Sequence, residues 1–214
     1  MTRRKGPVLT IFTIGHSTRP IEEFLELLRA NGVEQLMDIR TIPKSRHNPQ
    51  FNGDALAATL RSAGIGYTHL KELGGLRHAR RDSVNLGWRN ASFRGFADYM
   101  QTPEFEAALE HAMRLAKERP SALMCAEAVP WRCHRSLVAD ALVVRGIRVM
   151  EIISDAAPKE HTLTPFARVR GTEITYPREE PLFNQVEPDR GIGRSDRGRN
   201  ADRQAKSHKA GGHK

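Results

Sequence analysis

Within eleven residues, Cys125-Ala-Glu-Ala-Val-Pro-Trp-Arg-Cys133-His134-Arg135, the chain holds two thiols, a carboxylate, an imidazole and two guanidinium groups. Residues two apart on an extended strand point to one face, so Cys125 and Glu127 would share a side of a sheet. A cysteine at a helix start beside basic residues tends toward the thiolate, the reactive form. Cys133 is therefore a candidate nucleophile, ligand or small buried residue. His134 and Arg135 sit where free N–H groups and the helix macrodipole disfavour cations by roughly 0.3–1 kcal/mol each. A bound anion would reverse that cost. The plainer reading of Cys125 is a core residue, the usual fate of a free cysteine, and that of Glu127 is an ion pair with Arg135 or Arg40.

Other reactive residues fall where strands should end. His16 and Ser17 follow the first apolar run, Asp38 and Arg40 lie at the second, and His69 lies at the third. In open α/β sheets ligands bind beyond the carboxyl ends of strands, so such residues would converge on the Cys125–Arg135 segment. Asp38 in an apolar strand requires a partner, because carboxylates are almost never fully buried alone. Arg40, Arg46 or a ligand would supply it. In an enzyme built this way Glu127 or Asp38 acts as general base or carboxylate nucleophile, His16 or His134 moves protons, and Arg40 and Arg135 hold an anion. The alternative for Ser17 is a helix cap. Cys133 and His134 with Cys125 and His16 could supply metal ligands, but no C-x2-C pair is present and no metal site is expected. The sequence names no cofactor. Walker, G-x-G-x-x-G and H-E-x-x-H patterns are absent. Cys125 and Arg132 are one residue too far apart for the Cys-x5-Arg loop of tyrosine phosphatases and rhodaneses.

The elements that must position these groups can be read from periodicity. Val8–Ile14 is apolar and β-branched without alternation, as in a strand buried on both faces. Helical spacing of Ile21, Phe24, Leu25 and Leu28 predicts a helix over 20–31 with Gly32 as its stop. Strands are expected at 36–40, 67–70, 122–127 and 147–153. Further helices are expected at 54–63 with Asp54 as N-cap, from Thr102-Pro103 to about 119, and at 133–145. Alternating strands and helices imply an open parallel sheet of about five strands with helices on both faces. A small hairpin over 166–176 would cap it. The segment 74–94 is too long for an ordinary connection. Its Arg77, Arg80, Arg81, Arg89 and Arg94 form either a solvated face or a mobile lid over an anionic substrate.

The net charge of +9 is concentrated at the ends. Residues 190–214 hold eight Lys or Arg against Asp196 and Asp202, Arg3, Arg4 and Lys5 add three, and 6–189 carries 23 groups of each sign. A basic extension over 1–7, a folded domain over 8–177 and a disordered basic tail over 178–214 are expected. Two cysteines, no apolar signal segment and no run of roughly 20 apolar residues imply a reduced, cytoplasmic protein with no membrane partner.

Thr13-Ile-Gly-His-Ser17, Asp38-Ile-Arg40 followed by Pro43 and Ser45, Leu73-Gly-Gly75, Cys125-Ala-Glu127 and Cys133-His-Arg135 together resemble the domain of unknown function 488 family, in order from about residue 10 to 153. The resemblance implies a bacterial or archaeal type of α/β domain whose recurrent polar residues correspond to His16, Ser17, Asp38, Arg40, Cys125, Glu127, Cys133, His134 and Arg135. It implies no particular activity. Residues and resemblance together lead to an expected enzyme acting on an anionic substrate, phosphorylated, nucleotide or nucleic-acid-derived. Asp38, Cys125, Glu127 and His16 are its catalytic candidates, and Ser17, Arg40, Ser45, Cys133, His134 and Arg135 its anion-binding candidates. Two alternatives stay open. One is a non-catalytic nucleic-acid-binding module using the Arg-rich loop and tail, whose affinity would fall by roughly 10³ or more between low and moderate salt. The other is a thiol or zinc protein.

Overall fold

A computed structural model describes residues 8–178. The basic extension over 1–7 and all of the expected tail beyond Arg178 lie outside the described residues. Residues 8–178 fall in one compact unit, and the second unit, Glu180–Lys214, lies wholly among the residues not described.

The first apolar run forms β1 (Thr10–Gly15), which is followed by α1 (Ile21–Ala30), β2 (Gln35–Asp38), α2 (Gly53–Ser62) and β3 (Gly66–His69). Next come α3 (Ala91–Tyr99), α4 (Pro103–Glu118), β4 (Ser121–Cys125), α5 (Arg135–Val143) and β5 (Arg148–Ile152). The short strands β6 (Lys159–Glu160), β7 (Arg168–Arg170) and β8 (Glu173–Thr175) close the described fold. One sheet has the order β3-β2-β4-β1-β5-β6. Its first five strands are parallel, β6 runs antiparallel to β5, and β7 and β8 make the separate hairpin.

Strand side chains alternate between two cores. Ile14, Leu36, Ala122, Met124 and Ile152 meet Phe24 and Leu28 of α1 and Leu56 and Leu60 of α2. On the other face Ile11, Met37, Leu123, Cys125 and Val149 meet Phe96 of α3, Phe105 and Leu109 of α4, and Leu137 and Val138 of α5. Helices therefore cover both faces, and the sheet edge where β1, β2 and β4 end is left to loops.

Three local expectations are corrected. The 74–94 segment leads into α3, which its turn-like composition hides. Gly95 interrupts the helical pattern because a Cβ there would lie 2.5 Å from the Arg77 carbonyl oxygen, so the crossing backbone requires glycine. The segment is also pinned. Buried Asp98 accepts from Ser83 Oγ, Asn85 Nδ2 and the Arg80 amide, and Arg77 lies over the Tyr99 ring. This is not the bonding of a mobile lid. Asp54 does not cap α2: Asn52 holds that position, and its Oδ1 accepts from the Ser45 amide instead. Ser17 likewise does not cap α1, which Pro20 precedes without a side-chain cap.

Candidate active site

The ends of β1, β2 and β4 and the turn before α5 surround a cavity of about 460 Å³. Parallel pairing sets their relative heights, with Gly15 opposite Cys125 and Asp38 opposite Met124. The ladder continues past the strands, since the His16 and Ser17 amides donate to the carbonyls of Cys125 and Ala126. Ser17 takes a left-handed conformation there, with φ 51°.

His16, Arg40, Ser45, Cys125, Glu127, Cys133 and His134 all contribute to the cavity wall. Asp38, Ser17 and Arg135 do not. Asp38 is fully buried behind Arg40, and its carboxylate accepts from Arg40 Nε at 2.9 Å, Arg40 Nη2 at 2.6 Å, the Arg40 amide and Tyr67 OH. The fork geometry fixes the guanidinium, which also reaches the Phe51 carbonyl. Arg40 Nη1 lies 3.2 Å from His16 Nε2, and His16 Nδ1 lies 2.8 Å from the Ser17 carbonyl oxygen. The carbonyl can only accept, so Nδ1 carries the proton and Nε2 accepts from Arg40. Burial brings the His16 pKa down to about 4, against the opposing bond to Ser17, so the ring is neutral at pH 7. It stacks on Phe51 with centroids 4.3 Å apart. His16 and Asp38 are thus committed to holding Arg40.

His134 is arranged in the same way. Nε2 donates to the Ile39 carbonyl, which leaves Nδ1 as an acceptor 3.5 Å from Cys133 Sγ. Burial again lowers its pKa to about 4. Gly75 packs against this ring so closely that a Cβ would sit 2.4 Å from Nδ1.

Arg135 is the most unusual group in the site. It is 1 % exposed, and among the described residues it has no carboxylate partner. Nη1 contacts the carbonyls of Ile14 at 3.1 Å and Glu127 at 3.0 Å and Cys125 Sγ at 2.7 Å, Nη2 reaches the Ala128 carbonyl, and Nε has no acceptor. The alternative reading of Glu127 as an ion pair with Arg135 or Arg40 does not hold: Arg135 bonds the Glu127 main chain, and the Glu127 side chain is exposed at the cavity wall. Burial raises the Cys125 pKa. A hydrogen bond from Cys133, the Arg135 charge and further hydrogen bonding outweigh it and hold the thiol below its ordinary value. The bond to Cys125, burial and the neighbouring charge push Cys133 well above. Of the two thiols, Cys125 is the one shifted toward the thiolate and Cys133 the one shifted toward keeping its proton, and the Arg135 amide lies 3.4 Å from Cys133 Sγ.

Lys44 and Arg132 also line the cavity, as do Asn90, Ser92 and Phe93. Sequence reading did not select these five as site residues, because Lys44, Asn90 and Arg132 lie in connections whose turns no periodicity fixes, and Ser92 and Phe93 open α3, the helix that the sequence pattern hides. Arg77, Arg80, Arg81, Arg89 and Arg94 are not at the wall. Among the described residues no group of three or more His, Cys, Asp or Glu is placed to hold a metal ion, and no helix is long and apolar enough to cross a membrane.

No curated protein and no solved structure matches the chain. A family model described as "Domain of unknown function DUF488" matches residues 20–142, narrower than the span over which the motifs resemble it. Those residues include every member of the cavity wall except His16. With more than half of its length matched, the chain belongs to the DUF488 family.

Proposed function

We propose that the cavity is the active site of an enzyme that acts on an anionic substrate through the Cys125 thiolate. The observation that carries this reading is Arg135. A buried cation needs an anion, and the one group of suitable chemistry touching it is Cys125 Sγ. Thiolates, rather than thiols, are nucleophiles, and this one faces a cavity large enough for a small molecule. Lys44, Arg132 and the exposed edge of Arg40 supply charge for the substrate anion, and Ser45 adds a polar contact. Asp38 and His16 act through Arg40 as positioning residues. Glu127, exposed at the same wall, exchanges the proton of the leaving group.

The alternative of a nucleic-acid-binding module draws on the basic tail, which lies outside the described residues, and on loop arginines that do not reach the cavity. It stands below the enzyme reading.

Paired alkylating reagents test the proposal. Iodoacetate and iodoacetamide differ in charge, so the ratio of their rates at Cys125, divided by the same ratio for free cysteine, reports local cationic potential. The expected normalised ratio is about ten, the lower end of what cation-lined clefts give, and Lys44→Gln with Arg132→Gln returns it toward one. A ratio at or below that of free cysteine, or native Cys125 inert to both reagents, would sink the reading.

A further inference from the structure

Cys133 is not used by the chemistry proposed above, yet its thiol and that of Cys125 shift each other's titration. It is 4 % exposed, lines the same cavity, and is held by the amide of the residue whose guanidinium holds Cys125. Cys125 and Cys133 are the only two cysteines in the chain. Two thiols on one cavity wall, held by the amide and the guanidinium of the same residue, are placed for exchange, with the second attacking the sulfur adduct that the first forms.

We propose that Cys125 and Cys133 work as a dithiol that reduces an anionic low-molecular-weight disulfide, with Cys125 attacking and Cys133 resolving. This rests on the reading of Cys125 as the nucleophile and adds the reaction and the substrate class. In the first step the Cys125 thiolate attacks one sulfur of R–S–S–R′. A Cys125–S–S–R bond forms, the S–S bond of the substrate breaks, and R′–S⁻ leaves with the electron pair. Cys125 thereby loses the negative charge that kept the Cys133 proton in place. That proton passes to His134 Nδ1, the free acceptor 3.5 Å away, and on to solvent. The Cys133 thiolate then attacks Cys125 Sγ, closing the Cys125–Cys133 disulfide and expelling R–S⁻. Two electrons have moved from the protein dithiol to the substrate disulfide, and one proton has been released. Two molecules of a low-molecular-weight thiol restore the dithiol and leave as their own disulfide. Exchange of this kind requires only an attacking thiolate and access to the target sulfur.

Lys44, Arg132 and Arg40 give the cavity its preference for an anionic disulfide, and the exposed Ile42 and Leu76 offer apolar contact for the body of the molecule. The oxidised state cannot keep the same electrostatics. With both sulfurs neutral, Arg135 stays buried without an anion, which favours return to the dithiol; the first half-reaction therefore needs a substrate disulfide whose thiols are good leaving groups, as aromatic thiols of low pKa are.

The reagent 5,5′-dithiobis(2-nitrobenzoate), a dianionic aromatic disulfide, provides the test on the full-length reduced chain. With one equivalent of reagent the wild-type protein is expected to release two thionitrobenzoates per chain, and its intact mass to fall by two hydrogens with no adduct. Cys133→Ser is expected to release one and to retain the thionitrobenzoate on Cys125, and Cys125→Ser to slow the first release at least about tenfold. One thionitrobenzoate released by the wild type with a stable adduct on Cys125 overturns the resolving role and leaves the nucleophile reading intact. A first release that is equally fast in Cys125→Ser overturns both. The wild-type stoichiometry needs no variant and decides the matter even if a substitution impairs folding.

Discussion

Arg135 is held at 1 % exposure by three carbonyl oxygens and a sulfur, and the cost of burying charge decides what that sulfur is. Carbonyl dipoles solvate a cation but do not neutralise it, whereas a thiolate does both. Removing one partner of a buried ion pair strands the other, at a cost of several kcal/mol. Cys125→Ser is therefore expected to lower the unfolding free energy by about 2–3 kcal/mol in urea titrations, and Cys133→Ser by clearly less. Equal losses would mean that both cysteines are ordinary core residues. Much of this site was legible from residue types, because Cys125, Glu127, Cys133, His134, His16 and Arg40 follow strands where an α/β sheet must gather them. The direction of Asp38 and Arg135 was not. For Asp38 the sequence already offered Arg40 among its partners, and that pair forms with Tyr67 added, although it turns the carboxylate away from the cavity; Arg135 reads in sequence as a cation awaiting a ligand and is instead held inside the protein by main chain and Cys125.

At the scale of elements, β1 sets the site as much as β4 does. Gly15 lies opposite Cys125, and a Cβ there would fall 1.8 Å from the Glu127 carbonyl oxygen and 3.0 Å from Arg135 Nη1. Gly15→Ala must push back the main chain that seats the guanidinium. It is expected to cost about 2–3 kcal/mol, at the upper end for overpacking, and to raise the pH at which Cys125 is half alkylated. A fall in stability with that pH unchanged would separate Gly15 from the thiolate. Elsewhere His161 ties the segment between β5 and the hairpin to α5. Its Nδ1 bonds Glu151 and its Nε2 bonds Asp140, which also accepts from Thr164 Oγ1 and Tyr176 OH. Burial alone would lower the His161 pKa, but the two carboxylates outweigh it and raise the value to about 9. A raised folded pKa contributes stability that is complete below about 6.5 and lost as pH rises through about 9. The midpoint of urea unfolding should accordingly fall between pH 7 and 10, and His161→Gln should flatten that fall. A wild-type slope unchanged by the substitution would assign the pH dependence elsewhere. Periodicity found five parallel strands and four of the five helices. It missed α3, whose Gly95 is dictated by a crossing segment distant in the pattern, and β6, whose two residues carry no period.

For the molecule as a whole, charge is unevenly spread: residues 6–189 balance at 23 groups of each sign, and the surplus lies at the ends. The anion preference proposed for the cavity would then come from Lys44, Arg132 and Arg40 and not from the average field. The rate advantage of an anionic over a neutral aromatic disulfide should shrink as salt rises to about 1 M, where screening acts within about 3 Å. An advantage insensitive to salt would point to shape instead of charge. Sequence composition shows this asymmetry, but not that Arg40 and Lys44 from the connection after β2 meet Arg132 from the connection after β4 at one wall, since sheet order β3-β2-β4-β1-β5-β6 decides which connections become neighbours. The claim on which the account depends is the charge state of Cys125, and the pH profile of its alkylation measures it directly. With iodoacetamide and peptide-resolved mass spectrometry on the native protein, the rate at Cys125 should reach half its maximum below about 8.5, the ordinary value for a free thiol, and Arg135→Lys should move it upward by at least about one unit. A half-maximum at or above the free-thiol value in the wild type would contradict the thiolate and the mechanism built on it.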